Sequence, residues 1–214
     1  MSRASIEFRR SLLRAMMHPL VRTAAAVVPL LLLLAPSSPR ASDQNVLIRV
    51  YDMATSDTAG RAVALRTASG AIASAGIGVR WRDCSRGGVD HPCRTVRAAG
   101  DLVVRILPTA APAPGSQEVQ LGFAPIDPAG GATVVATVYY DVVQQVARRT
   151  RLDARELLGR AIAHEVGHLL LRAPGHGETG LMRPLWTDAE LSQNRPEDWT
   201  FSDAERQEIE ASGR

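Results

Sequence analysis

Residues 164–168 read His164-Glu165-Val166-Gly167-His168, and no other stretch restricts the folding of this chain as severely. Two imidazoles four residues apart lie side by side when the backbone between them is helical, because i and i+4 share a helix face. So placed, they can share one tetrahedral zinc ion at about 2.0 to 2.1 Å each. The carboxylate between them is too near to be a third ligand from the same turn. It faces the water of such a site, where it can act as general base. The flanking residues agree with a helix. Asp153 followed by Glu156 is a reciprocal capping signal, and Leu157, Leu158, Ala161, Ile162, Val166, Leu169 and Leu170 recur at spacings of three and four. That stripe is the expected buried face, with His164 and His168 opposite.

A catalytic zinc needs a third protein ligand and one open position. His176 is the leading candidate. Pro174 biases the residue before it out of the helix, and Gly175 can take the positive φ of a sharp reversal that returns His176 toward the metal. Glu178, Asp188 and Glu190 compete for the role, Glu190 first among them because it would sit on a following helix. Met182, six residues after His176, is either a core methionine or part of the site. Tyr139 and Tyr140 end a strand near the cleft, with core packing as their expected role.

With these residues in view, the chain resembles the metzincin branch of the zinc-dependent peptidases. The stretch from His164 to His176, HEVGHLLLRAPGH, is similar to that family's HExxHxxGxxH, and Gly180-Leu181-Met182-Arg183-Pro184 is similar to its Met-turn. The family's glycine and third histidine positions hold Leu171 and Pro174 here, and the histidine arrives two residues later. The longer spacing is similar to that of a group of secreted bacterial proteins. The resemblance implies an α+β, zincin-like single domain: a twisted mixed sheet of about five strands, an active-site helix, and a small irregular and helical C-terminal part. The upper part would extend to about residue 172, with the metal loop, Met-turn and C-terminal helix in 173–214. It also implies hydrolysis of peptide or protein substrates with one catalytic zinc. A zinc-stabilised binding module without activity is the alternative, and Glu165 separates the two, since a structural site has no need of a water-facing carboxylate.

The basic pI of about 9.4 raises the question of a polyanion partner. Six of the 25 basic residues, all arginine, precede residue 42, where Glu7 is the one acid. From residue 42 the balance is 19 basic against 21 acidic, a formal charge of −2, so whole-chain charge gives no argument for nucleic acid. Five of these six arginines precede the apolar run 24–35, which is followed by Pro36-Ser37-Ser38-Pro39-Arg40-Ala41. Twelve apolar residues are too few to span a bilayer but suit a secretory signal, with residues 1–41 as signal peptide and 42–214 as the mature domain. Cleavage after Ser37 or Ala41, a start at Met16 or Met17, and an uncleaved anchor remain open. The expected location is secreted or periplasmic, with no membrane association after cleavage. In that setting Cys84 and Cys93 are expected to form a disulfide, because their spacing does not suit zinc.

The expected order is a strand at 46–51, a helix at 58–75, strands at 77–82 and 101–107, and a loop at 109–116. A hairpin of 118–124 with 132–139 follows, then helices at 141–149 and from Asp153. Short capped helices at Thr187-x-x-Glu190 and Ser202-x-x-Glu205 close the chain, the last reaching about Ala211.

Overall fold

A computed structural model describes residues 45–54, 57–86, 92–109, 120–127 and 133–212. The expected signal peptide, most of the 109–116 loop and the tip of the hairpin turn lie outside these residues. β1 (Asn45–Asp52), β2 (Gly78–Asp83), β3 (Leu102–Leu107), β4 (Gly122–Phe123) and β5 (Val135–Tyr139) form one mixed sheet in the order β2-β1-β3-β5-β4. The first four in that order run parallel, and β4 is antiparallel on β5 at the edge. The molecule is α+β, as the sequence implied.

Alternation along the strands decides which side of the sheet is covered. Ile48, Val50, Leu102, Val104, Ile106, Ala136 and Val138 share one side by register and are fully buried. α1 (Thr58–Ala73) and α3 (Ala154–Leu171) pack on that side. These two helices approach closely because Gly159 lacks a side chain: a Cβ there would overlap the Ala64 carbonyl. α2 (Tyr140–Thr150) and α5 (Asp203–Ala211) pack on α3, and α4 (Asp188–Gln193) packs on α2.

Three local expectations need correction. α3 has no polar face, since every residue from Leu157 to Leu171 is buried, His164 and His168 included. The sheet, α1 and the later helices surround it, so a pattern of threes and fours marked only one of several buried sides. Its cap is one-sided: Asp153 accepts from the Arg155 N–H at 2.8 Å, and Glu156 lies instead 3.7 Å from Arg160. The first strand of the hairpin is reduced to Gly122–Phe123 among the described residues, because Pro125 soon after cannot donate to a ladder. The reciprocal caps at Thr187/Glu190 and Ser202/Glu205 are both present, and Cys84 and Cys93 are disulfide-bonded.

Candidate metal centre

His164 and His168 sit one turn apart on α3 with ring centroids 4.9 Å apart. The helix then stops at Arg172, which takes the left-handed conformation at φ 53°. Gly175 was expected to supply the reversal, and it does not. The turn is made three residues earlier, and the left-handed residue at the helix end is an arginine. The chain crosses back, and His176 arrives with its ring 5.4 Å from that of His164 and 4.8 Å from that of His168. One ligand atom from each histidine lies within 4.8 Å of the others.

Second contacts fix which nitrogen faces inward. His164 Nδ1 donates to the Leu181 carbonyl at 2.7 Å, and His168 Nδ1 donates to the Ala173 carbonyl at 3.0 Å. A carbonyl can only accept, so the proton is on Nδ1 and Nε2 is left with its lone pair. Burial lowers the basicity of all three rings, most for His164, which falls to about 4 with His168 and His176 contributing. Neutral imidazole is the form that ligates a metal. Donor type, tautomer and protonation state therefore fit a borderline-soft cation such as zinc.

The competing ligands are engaged elsewhere. Glu190 caps its own helix through Thr187 and pairs with Arg183 at 3.0 Å. Asp188 makes a two-pronged pair with Arg149. Glu178 is exposed, and the candidate cluster found among the described residues consists of the three histidines alone.

Beneath the rings, Met182 is fully buried. A Cβ on Gly167 would overlap its Sδ and crowd Phe201, so the glycine inside the histidine motif makes the seat for the methionine. The segment around it is locked from both ends. Gly177 N–H donates to the Met182 carbonyl at 2.9 Å and Leu181 N–H to the Thr200 carbonyl at 2.8 Å, while Gly180 turns at φ 72°. Leu181 thereby joins the turn to His164 directly.

Glu165 points toward the sheet edge, where Gly122 leaves it room. Burial alone pushes its carboxyl up to about 8. A cation nearby would draw it back down, since opposite charge favours the ionised form. Between β4 and the rings lies a cleft of about 520 Å³. Residues 120–126 form one wall of it, and Phe123 and Leu185 are exposed among its lining residues. Val146, Ala161 and Leu191 line an apolar recess. Trp186, whose indole meets His164 edge-on at 5.4 Å, closes one side. Neither Trp186 nor Gly122 was distinguishable in the sequence. Tyr140 packs against the core as expected.

No family model matches the sequence, and no curated protein matches it. Solved structures are similar in fold, among them the following two. One is a zinc-dependent peptidase from Methanocorpusculum labreanum strain Z, with a TM-score of 0.53 and 16% identity, covering 76% of this chain and 99% of that one. The other is archaemetzincin from Methanopyrus kandleri, with a TM-score of 0.50 and 16% identity, covering 83% of this chain and 99% of that one. At this identity the likeness is one of fold.

Proposed function

We propose that this chain is an exported zinc-dependent endopeptidase, with His164, His168 and His176 holding one metal ion and Glu165 as general base. One observation carries the reading: three imidazoles converge at a cleft one wall of which is a sheet edge, with a buried carboxyl between the two. The fold shared with structures described as a zinc-dependent peptidase and an archaemetzincin supports it.

Zinc held at such a site supplies a Lewis acid that polarises a carbonyl and makes a water acidic near neutral pH. The chain's own groups do the rest. An extended peptide pairs with β4, whose outer side has no neighbour strand among the described residues, and backbone hydrogen bonds bring a carbonyl over the imidazoles. Glu165 accepts the proton of the attacking water and returns it to the leaving amine, one carboxyl serving as base and then as acid. The apolar recess takes a side chain beside the scissile bond and excludes water around it.

The test compares Glu165→Ala with His168→Ala, scoring zinc content and cleavage of a proteome-derived peptide mixture. Glu165→Ala is expected to keep zinc and lose hydrolysis, and His168→Ala to lose both. Unchanged turnover in Glu165→Ala contradicts the mechanism, and a zinc-loaded wild type that cleaves nothing leaves the binding-module reading. Export predicts a mature N-terminus close to residue 42, which N-terminal sequencing of the secreted product checks.

A further inference from the structure

The near-neutral total after residue 41 conceals a segregation of charge. Residues 45–107 carry nine arginines against five acids, whereas residues 120–212 carry nine against fourteen. The pairing differs as sharply. In the second group Arg149, Arg155, Arg160, Arg183, Arg195 and Arg206 all face carboxylates. In the first group only Arg49 and Arg61 do so among the described residues.

Six of the unpaired arginines gather on one part of the molecule. By register, Arg80 and Arg82 on β2 and Arg105 on β3 lie on the same side of the sheet as Arg49, opposite the side covered by α1 and α3. Arg86 follows β2, and Arg94 and Arg97 lie on the disulfide-closed loop. That loop is drawn onto the same side because Arg49 donates to the carbonyls of Cys93, Thr95 and Val96. Arg105 donates to Thr137 and Arg97 to backbone carbonyls, neither of which neutralises a guanidinium. Between Arg94 and Arg97 the side chain of Val96 is 94% exposed. A disulfide and a buried arginine thus hold an uncovered apolar tip within a cluster of free cations.

Contrary to the expectation from the leader that the mature domain has no membrane association, we propose that this arginine-rich side of the sheet, with Val96 at its tip, docks the protein on an anionic phospholipid surface. Guanidinium groups meet headgroup phosphates in forked pairs, and an apolar tip gains by entering between headgroups, a gain that a soluble polyanion does not offer. Among the described residues no helix is long and apolar enough to cross a membrane, and the proposed contact is one of side chains with headgroups. β2 and β4 are opposite edges of the sheet. Contact at the β2 side therefore leaves the cleft at β4 open, and the inference stands whether or not the chain is a peptidase.

Among the described residues the core runs from Val46 to Ile209, and the unit from Pro39 to Arg214 retains it and avoids the apolar leader. Its binding is measured by cosedimentation with vesicles of phosphatidylcholine alone and with about one third phosphatidylglycerol, at several salt concentrations, thermal unfolding being recorded for each variant. Binding is expected only with the anionic lipid and is expected to weaken with salt. Arg80→Gln/Arg82→Gln/Arg94→Gln should lower the partition coefficient by about two orders of magnitude. Arg148→Gln/Arg151→Gln/Arg172→Gln, which removes the same charge from the other group, should change it less than threefold. Val96→Ser should weaken binding at constant charge. Equal loss in the two triple variants, binding to neutral vesicles alone, or binding to heparin without binding to vesicles overturns the proposal.

Discussion

Gly122 on the edge strand and Glu165 on the buried helix occupy adjoining space so closely that a Cβ on the glycine would come within 2.6 Å of Glu165 Cγ and 2.7 Å of its Oε1. The same Cβ would stand 2.7 Å from the Thr137 carbonyl. The strand proposed to receive a peptide is therefore also the wall against which the proposed base rests. Gly122→Ala is expected to destabilise the protein by about 1 to 3 kcal/mol through overpacking. Because a displacement near 1 Å can cost about 100-fold, turnover should fall by that order with zinc content unchanged. In a Glu165→Ala background the stability cost should shrink, because one of the two overlaps is gone. A double-mutant cycle by denaturant unfolding measures this coupling, and strict additivity would show that the contact has no energetic weight.

Met182 has no exposed surface and lies against Gly167 between the two helical histidines. Met182→Ala should cost about 2 to 5 kcal/mol as a buried large-to-small change. It should also weaken zinc binding, because the Leu181 carbonyl that orients His164 is carried on the same turn. Competition titration with a zinc chelator checks the second effect. An affinity equal to wild type would reduce Met182 to packing alone.

The Asp153 carboxyl is held down at about 2 by its hydrogen bonds to Arg155 and to the helix N-terminus. A depressed carboxyl stabilises the fold above its unfolded value near 3.8, and that contribution is lost as the pH falls through about 2. Asp153→Ala should therefore cost about 1 kcal/mol at pH 7, the usual worth of an N-cap. The difference from wild type should narrow between pH 4 and pH 2. Urea unfolding at pH 7, 4 and 2.5 tests this, and a difference independent of pH would contradict it.

Much of this architecture was legible because local signals and tertiary structure agree. The β-branched strands, the two reciprocal caps near the C-terminus and the i, i+4 histidines each depend on neighbours within a few residues. What escaped the sequence is what distant segments impose. Arg172 ends the helix in a conformation that Gly175 was better suited to adopt, since the geometry between Ala173 and His176 is set by the hydrogen bond to His168. Gly122 stands 43 residues from Glu165, and nothing in its own neighbourhood signals that it must be small. The choice of His176 over Glu190 rested on chain reversal alone. The structure adds that Glu190 is already committed to Thr187 and Arg183. The free arginines of the sheet could be seen only once register showed which ones share a side.

The most direct test of the metal centre is X-ray absorption at the zinc edge of the loaded protein, with His176→Ala alongside. Three imidazole nitrogens at about 2.0 to 2.1 Å with one further light donor are expected. In the variant, one imidazole should be lost and affinity should fall by at least tenfold. A wild-type spectrum that His176→Ala leaves unchanged would contradict convergence of the three rings on one ion.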